Sequence, residues 1–402
     1  MPPKILHLIS QRQGWTGSGV ILDSMVGHAG RARWKQAVVL GSPSDDPLPE
    51  VGGLKADSIH PLLFESGELN YPLPGMSDVM PYPSTRFSSM DSGMLDRYRR
   101  AWRAHLSNVI ENFQPDLIHS HHLWILSSMV KDIAPEIPLV IQCHATGLRQ
   151  MELCPHLADE VKSGCARADR FQVLSTEHAH RLSSNLGQDL DHIHVLPSGY
   201  REDYFNRRGR SGDNSRRILY VGKLSHAKGL PWLLDAFDRL RMDHPAIELH
   251  VAGSGAGPES EILKKRLRRM RATVYHGVVD QASLGALMRK SEICILPSFY
   301  EGVPMVLVEA LACGCKLVST DLPGLRDSIA PTAGGALTTI QLPRLSDVDK
   351  PVGEDLPQFV ENIARGISRA LDNSVPAPVD LTEFGGTIAF KKTAAIWREL
   401  LS

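Results

Sequence analysis

Short apolar strands that alternate with amphipathic helices are the feature that most constrains how these 402 residues can fold. Each half of the chain begins with the same unit, which is an apolar strand, a glycine-bearing turn and a helix. The first half has its strand at Lys4–Ser10 and its helix-like segment at Val20–Gly27, and the second half has its strand at Arg217–Val221. Strands that are apolar along their whole length are typical of parallel sheets covered by helices on both faces.

More strands of this kind follow in each half. They are Gln36–Leu40, Leu117–His119, Leu139–Gln142, Phe171–Leu174 and His194–Leu196, then Glu248–Ala252, Thr273–Tyr275, Ile293–Leu296 and Lys316–Ser319. Each set predicts an α/β domain with a doubly wound, Rossmann-like parallel sheet. The polar, glycine-rich stretch 197–215 is typical of a junction, so we place the domains at 1–197 and 198–386. Two such domains facing a central cleft would bind ligands at the carboxyl ends of their strands.

The charge balance and the cysteines exclude several classes of function. There are 44 Lys and Arg against 45 Asp and Glu, whereas a sequence-independent nucleic-acid binder usually carries a clear basic excess. No apolar run approaches the roughly 20 residues that span a bilayer. The 6 cysteines form no CxxC pair, which is typical of reduced thiols in the cytoplasm. We therefore expect a cytoplasmic protein with no nucleic-acid partner and no transmembrane segment.

Two segments stand apart from the strand and helix pattern. Pro61–Gly93 has no periodicity and predicts a long loop, which is typically functional or mobile. Residues 264–269 hold five basic side chains. Such a helix can make a peripheral contact at the inner membrane face, but we favour a solvated helix face.

The segment from Pro297 to Gly314 carries the strongest sign of a binding site. A buried strand ends at Pro297, Pro304 is placed to begin a helix, and Gly314 is placed to end it. The backbone N–H groups of Gly302–Met305 would then be unpaired. Such groups can bind an anion without a cationic side chain.

Two carboxylates accompany this helix, Glu301 at its beginning and Glu309 eight residues further on. On one continuous helix this spacing gives about 80° of angular offset and about 12 Å of rise. Carboxylates so far apart suit two parts of one long ligand better than two sides of one bond. The alternative is that Glu301 is a solvated loop residue and Glu309 a surface helix residue.

Lys223 and Lys228 form a second candidate site, on the turn after the first strand of the second half. Two ammonium groups there could bind a diphosphate. The turn is not a Walker A loop, because it lacks the Gly-x4-Gly-Lys-Ser/Thr pattern. Two solvated surface lysines are the alternative interpretation.

His144 is a third candidate, at the carboxyl end of a first-half strand, where an imidazole can contact a ligand or be purely structural. His119, His121 and His122 cluster at the end of another strand. Because no carboxylate or cysteine lies nearby at ligand spacing, we expect no metal site there. We favour the interpretation of a buried strand that turns into a polar loop.

In this order, the motifs resemble those of retaining GT-B glycosyltransferases, specifically glycosyltransferase family 4, the group 1 glycosyltransferases. Glu301 and Glu309 resemble the two glutamates of the family's E-x7-E signature. The resemblance covers nearly the whole chain and includes Pro115–His121, His144–Gly147, His194–Gly199, Gly222–Gly229 and Ser319–Gly324. It implies an acceptor-binding first domain, a donor-binding second domain and a final helix, about 387–401, that crosses back onto the first domain.

The resemblance also implies a role for each matching residue. Lys223, Lys228, Gly302 and Val303 would bind the donor diphosphate, Glu301 and His144 the donor sugar, and Glu309 the ribose, while His276 and Gly277 would lie near the base. The glycine loop of Gly17, Ser18 and Gly19 would approach the donor or the acceptor. His144, Glu301 and Lys228 would be catalytic, without a metal or other cofactor.

The expected function is transfer of a hexosyl or N-acetylhexosaminyl group from a nucleotide sugar, UDP-linked, with retention. The acceptor would be a glycan, a glycolipid or a small molecule. Two alternatives stay open, a non-hydrolysing sugar-nucleotide epimerase and a non-catalytic sugar-nucleotide-binding subunit. Lys223 stands where the family has Arg, and Ser198 and Tyr200 stand where it has Asn and Val. The first difference affects diphosphate binding and the other two affect the acceptor side.

Overall fold

The computed structural model of the chain describes residues 2–14, 16–77, 80–144, 146–196, 199–210, 216–374 and 376–402. The chain divides into two compact units, Met1–Gly199 with Gly386–Ser402, and Tyr200–Gly385. The expected boundary at 197 and 198, and with it the unusual Ser198, lies outside the described residues. No helix of the described part combines the length and the apolar character that crossing a bilayer requires.

The first unit is built on a seven-stranded sheet. Its strands are β1 (Lys4–Ile9), β2 (Lys35–Pro43), β3 (Ile59–Phe64), β6 (Leu117–His121), β7 (Leu139–Gln142), β8 (Arg170–Val173) and β9 (Ile193–Val195), while β4 (Pro74–Gly75) and β5 (Thr85–Arg86) form a separate pair. The strand order is β3-β2-β1-β6-β7-β8-β9, all parallel. The helices are α1 (Gly17–Arg31), α2 (Ser92–Phe113), α3 (Ile125–Ser128), α4 (Val130–Ile133), α5 (Thr146–Leu153), α6 (Pro155–Cys165) and α7 (Thr176–Leu186).

The second unit repeats the architecture with a six-stranded sheet. Its strands are β10 (Arg217–Val221), β11 (Glu248–Ala252), β12 (Thr273–Gly277), β13 (Ile293–Leu296), β14 (Lys316–Thr320) and β15 (Leu337–Ile340), with a small antiparallel pair of β16 (Leu345–Asp347) and β17 (Lys350–Pro351). The strand order is β12-β11-β10-β13-β14-β15, all parallel. The helices are α8 (Leu230–Asp243), α9 (Pro258–Arg269), α10 (Gln281–Arg289), α11 (Met305–Ala312), α12 (Ala330–Ala333) and α13 (Leu356–Asp372).

The prediction of two doubly wound parallel-sheet domains is confirmed. The sequence pattern does not predict β3 and β15, which are both edge strands. Only Ile59 and Phe64 of β3 are buried, and Pro61 lies between them. A sheet edge tolerates proline because one row of N–H groups there has no partner strand. At its edge position β3 therefore lacks the continuous apolar pattern that reveals the central strands.

Apart from residues 78 and 79, which lie outside the described part of the chain, Pro61–Gly93 is more ordered than the long loop that its composition predicts. Its first residues belong to β3, and apolar side chains further along it are buried. They include Leu69, Leu73, Met76 and Phe87, which join the main core of the first unit. The segment is therefore anchored by burial of these side chains as well as by its short strands.

The last helix, α14 (Gly386–Leu400), belongs to the first unit. Its Trp397 is fully buried and its ring lies edge-on to Trp34 and His119. Ile5 and Leu117 belong to the same apolar cluster. The helix thus covers the strands around the middle of the first sheet although it lies at the other end of the chain.

We expect Trp397→Ala to lower the free energy of unfolding by about 3–5 kcal/mol, because the change leaves a large cavity beneath α14. Urea denaturation followed by circular dichroism measures this effect. Lys391→Ala, at an exposed position of the same helix, is the matched control and should stay within about 0.5 kcal/mol of the original chain. Equal effects of the two substitutions would show that α14 is not held by its buried face.

Candidate active site

The second sheet reverses its strand order between β10 and β13, which are neighbours although β11 and β12 separate them in sequence. In doubly wound sheets, ligands bind outside the carboxyl ends of the strands at such a reversal. Two loops leave the sheet there, residues 222–229 after β10 and residues 297–304 after β13. These loops carry most of the predicted donor-binding residues.

The two loops are packed directly against each other. Gly229 has a φ of +70°, and a Cβ atom at this position would lie 2.0 Å from the carbonyl oxygen of Pro297. The Phe299 N–H donates to the Ala227 carbonyl oxygen at 3.0 Å. Only glycine allows this approach, because it has no Cβ and adopts positive φ at little cost.

This packing brings together two of the predicted residues, Lys228 and Glu301. The Lys228 Nζ donates to Glu301 Oε1 at 2.6 Å and to the Tyr300 carbonyl oxygen at 3.4 Å. The side chains are 22% and 18% exposed, so the ion pair is half-buried and still open to a ligand. One ammonium and one carboxylate therefore lie side by side at the strand-order reversal.

Lys223 lies in the same loop as Lys228 and is half-buried. Its carbonyl oxygen accepts a hydrogen bond from the Tyr220 hydroxyl at 2.6 Å. Burial, together with the negative charge of Glu301, raises the pKa of Tyr220 well above its ordinary value. Tyr220 therefore stays protonated and keeps donating to the turn that carries Lys223.

Helix α11, which contains Glu309, begins later than predicted. Helix α11 starts at Met305, and Pro304 occupies the capping position before it. The Met305 N–H donates to the Val303 carbonyl oxygen at 2.9 Å, so the prediction of a free N–H at Met305 is wrong. Within the described chain, the N–H groups of Gly302 and Val303 donate to no main-chain oxygen. These two groups are the ones that can bind an anion.

Glu301 precedes α11 and Glu309 lies inside it, so the predicted geometry of one continuous helix between the two carboxylates is wrong. Glu309 is half-buried, and burial raises its pKa to about 8. The carboxyl group is thus mostly protonated at neutral pH, and it can donate a hydrogen bond as well as accept one. This differs from the solvated carboxylate of the alternative interpretation.

His276 and Gly277 end β12, at the carboxyl edge of the same sheet. The His276 ring is stacked on His250, and His276 Nε2 lies 2.9 Å from His250 Nδ1. Burial lowers the pKa of both imidazoles. The neutral imidazole of His276 therefore lies at this edge, packed on that of His250 in β11, and β12 is two strands away from β10 in the strand order.

In the first unit, the strand order reverses between β1 and β6, and His144 follows the neighbouring strand β7. His144 is buried, and burial lowers its pKa to about 4. His144 Nε2 lies 3.4 Å from His121 Nδ1, and the two rings are stacked. Because its pKa is lowered, His144 is neutral at physiological pH. His122, just beyond β6, has a φ of +82°, which is uncommon for a residue other than glycine and marks a locally strained backbone.

Nitrogen atoms of His7, His119 and His121 lie within 4.8 Å of one another, which is close enough to hold a metal ion. The hydrogen bonds of these histidines argue against three nitrogen lone pairs that are free to bind a metal ion. The Trp397 indole N–H donates to His119 Nδ1 at 3.2 Å, so the proton of neutral His119 is on Nε2. His119 Nε2 is then a donor rather than a metal ligand. The protonation of His119 therefore favours a structural role for the histidine cluster over a metal site.

The same reasoning fixes the proton on His7. The Gln36 side-chain N–H donates to the Val26 carbonyl oxygen at 3.0 Å, which leaves Gln36 Oε1 to accept from His7 Nε2 at 3.0 Å. His7 Nδ1 therefore carries a lone pair, beside the Nε2 proton of His119. Neither atom has a hydrogen-bond partner among the described residues, so the two rings are oriented from outside the cluster, His119 by Trp397 on α14 and His7 by Gln36 on β2.

The predicted glycine loop is partly helical. Helix α1 begins at Gly17, earlier than the predicted Val20, and Thr16 caps it by accepting from the Gly19 N–H. Ser18 is buried and its hydroxyl donates to the Gln11 side chain at 3.1 Å. Gly17, Ser18 and Gly19 thus form the first helical turn at the carboxyl end of β1, where unpaired N–H groups can meet a ligand.

Sequence reasoning missed Gly324 and His7. A Cβ atom on Gly324 would lie 1.6 Å from the Gly302 carbonyl oxygen, so this glycine holds the loop after β13 in place. The sequence does mark Gly324, because this residue ends a motif that resembles the family. It does not predict the contact with Gly302, because that contact arises only in the tertiary structure. His7 lies inside an apolar strand, and only the parallel register of β1 with β6 places it beside His119.

Two parallel-sheet α/β units, with a cation, a carboxylate and free backbone N–H groups at a strand-order reversal, define a GT-B type sugar-nucleotide enzyme fold. Residues 73–204 match the family described as Glycosyltransferase Family 4, and residues 215–344 match the family described as Glycosyl transferases group 1. Together these two matches cover more than half of the chain. The chain belongs to the group 1 glycosyltransferases of family 4.

Curated relatives agree with this family. The chain is 30% identical over 230 residues to the glycogen synthase of Mycobacterium tuberculosis, which covers 54% of this chain and 55% of that protein. It is 27% identical over 256 residues to the D-inositol 3-phosphate glycosyltransferase of Geodermatophilus obscurus, covering 55% of each. The match thus spans about half the length of these relatives.

Solved structures share the fold over the whole chain. The sucrose-phosphate synthase of Thermosynechococcus elongatus has a TM-score of 0.69 at 14% identity and covers 100% of this chain and 99% of its own. The pneumococcal O-GlcNAc transferase, in complex with UDP and GlcNAc, has a TM-score of 0.67 at 13% identity with the same coverage. At these identities the likeness shows the GT-B fold.

We expect Glu309→Gln to stabilise the protein more at pH 8.5 than at pH 5. The folded chain holds this carboxyl with a raised pKa of about 8, against 4.5 ordinarily. Between these values the folded state binds more protons than the unfolded state, so Glu309 costs stability as pH rises, and Gln removes that cost. Melting temperatures at several pH values measure the effect.

Glu111→Gln, at an exposed position of α2, is the control and should show no growing difference with pH. A melting-temperature difference for Glu309→Gln that is flat or that shrinks from pH 5 to pH 8.5 would contradict the assignment of a buried, neutral carboxyl.

Proposed function

We propose that the chain transfers a sugar from a UDP-sugar to an acceptor, with retention of the anomeric configuration and without a metal ion. The juxtaposition of Lys228 and Glu301 at the strand-order reversal of the second sheet carries this proposal. A nucleotide sugar has its diphosphate and its sugar joined by one bond. A cation and a carboxylate 2.6 Å apart match that junction, one for the phosphate and one for the sugar hydroxyls.

Negative charge develops on the departing diphosphate during transfer. Lys228 and the N–H groups of Gly302 and Val303 would stabilise that charge, and they are held in place before the reaction by the packed loops. When the donor binds, its phosphate would share the Lys228 ammonium with Glu301. These groups supply positive charge where many enzymes use a metal ion, which supports metal independence.

The remaining site residues supply neutral hydrogen-bonding groups. Glu309, protonated near neutral pH, would both donate to and accept from the ribose hydroxyls. His144 is neutral and would contact the donor sugar near the reacting carbon through a donor or acceptor nitrogen. Lys223 would bind the diphosphate as a single point charge, and His276 and Gly277 would lie near the base.

The UDP assignment rests on two solved neighbours, the pneumococcal O-GlcNAc transferase in complex with UDP and GlcNAc, and the HepE protein of Anabaena in complex with UDP and glucose. Retention rests on the family resemblance. We assign acceptor binding to the first unit, including Gly17–Gly19 and the anchored segment 61–93, and we expect the protein to act in the cytoplasm. The acceptor is a glycan, a glycolipid or a small molecule.

We expect Lys228→Ala to lower kcat/KM for the donor by roughly 10²–10³-fold, because it removes a preformed positive charge from the leaving group. Glu301→Gln should lower kcat/KM with a smaller effect on nucleotide affinity, since this carboxylate is assigned to the sugar. Mass spectrometry of reactions with UDP-, GDP- and ADP-hexoses and an acceptor panel measures turnover.

Lys350→Ala is the matched control, because Lys350 also forms an ion pair, with Asp347 at 2.7 Å, but on the small antiparallel β-pair. It should turn over donors like the original chain. Equal activity of Lys228→Ala and Lys350→Ala would end the site assignment. Isomerised donor without an acceptor would instead indicate an epimerase, and tight UDP binding with no turnover would indicate a non-catalytic binding subunit.

Retention and metal independence have their own tests. The anomeric coupling constant in the proton NMR spectrum of the product should equal that of the donor sugar. A chelator in excess should leave the initial rate unchanged, because Lys228 and the two N–H groups neutralise the diphosphate. An inverted product, or a rate that collapses with chelator and returns with Mg²⁺, would contradict this part of the proposal.

A further inference from the structure

A groove of about 600 Å³ lies between helices α8 and α9 of the second unit. Five cationic side chains line it, together with one carboxylate, Asp238. The cations are Arg241, Lys265, Arg266, Arg269 and Arg271. In a chain whose net charge is −1, this is a strong local excess of positive charge. It lies on the basic segment for which the sequence pattern favours a solvated helix face.

Among the residues that the structure describes, most of this charge has no counterion. Arg266 is paired with Asp235 at 2.7 Å and with Asp238 at 3.5 Å. Within the described part of the chain, the other four cations form no ion pair with an acidic side chain. A surface lined by cations without counterions attracts anions, so the groove favours an anionic group.

Apolar side chains lie exposed at the same place. Ile262 lines the groove and is 67% exposed, and Met242, next to Arg241 at the end of α8, is 79% exposed. A free anion would use the cations but not these side chains. Lys and Arg beside exposed apolar groups on a helix are typical of a surface that lies on lipid headgroups.

The topology sets this groove apart from the donor site. In a parallel sheet the connecting helices run back against the strands, so the C-terminal ends of α8 and α9 lie toward the amino ends of the strands. Arg271 lies just before the amino end of β12, whereas the Lys228–Glu301 pair lies beyond the carboxyl ends of β10 and β13. A surface bound at the groove would therefore leave the donor loops open.

We propose that the α8–α9 groove is a docking surface for an anionic phospholipid membrane. Lipid phosphates occupy the groove between Arg241, Lys265 and Arg269, and Ile262 and Met242 enter the headgroup layer. This inference does not depend on the proposed sugar transfer. It does place that chemistry next to a membrane.

The test uses the full chain and two kinds of vesicle, phosphatidylcholine alone and phosphatidylcholine with about one third phosphatidylglycerol. Sedimentation should show binding to the anionic vesicles only, and added salt should weaken it because salt screens surface charges. Lys265→Glu with Arg269→Glu should lower the partition coefficient at least about tenfold, since each basic residue near an anionic surface contributes on the order of a several-fold change. Ile262→Ser, which keeps the charge, should weaken binding without changing its salt dependence.

Arg31→Glu with Lys35→Glu makes the same charge change at exposed positions of the first unit and should leave binding unchanged. Circular dichroism and melting curves check that each variant is folded, and turnover of a soluble donor should stay unchanged in Lys265→Glu with Arg269→Glu. No binding to anionic vesicles, equal loss in both double variants, or binding of soluble glycerol phosphate at the groove without vesicle binding would each overturn the proposal.

Discussion

The ion pair between Lys228 and Glu301 depends on the reversal of strand order in the second sheet. The two residues are 73 positions apart, and they meet because β10 and β13 are neighbours whose loops leave the same edge. Backbone packing at Gly229 and Gly324 fixes those loops without any side chain between them. The parallel sheet, more than charge attraction, therefore positions the two residues. A half-buried ion pair by itself contributes only modestly to the free energy of folding.

Burial, more than neighbouring charges, sets the protonation of Glu309 and His144. Glu309 carries a raised pKa and His144 a lowered one, both because desolvation disfavours the charged form. At neutral pH these residues offer hydrogen bonds without net charge. Lys228 and Glu301 form an ion pair at the strand-order reversal of the second sheet. A site that combines charged residues with neutral hydrogen-bonding residues suits a ligand with a charged centre and polar, uncharged ends.

Burial also keeps the histidines at the strand-order reversal of the first unit neutral, and there the rings have a structural role. The indole of Trp397 and the amide of Gln36 each fix the proton of one imidazole, His119 and His7, so these rings link α14, the sheet and α1. The pKa values of both are lowered by burial. The histidines that looked like a metal motif are thus better described as a buried cluster of rings in contact, each hydrogen-bonded to a partner outside the cluster. His121 Nδ1 lies 3.4 Å from His144 Nε2.

The sequence by itself determined the fold class, because fully apolar strands between amphipathic helices leave parallel, doubly covered sheets as the stable arrangement. It also determined which residue types could form the site, through the motifs around Lys228, Glu301 and His144. Only the tertiary structure decided which of them meet, where α11 begins, and that Glu309 is held neutral. Edge strands such as β3 and contacts such as Gly324 with Gly302 escaped prediction because they arise from register and packing between distant segments, which no local pattern records.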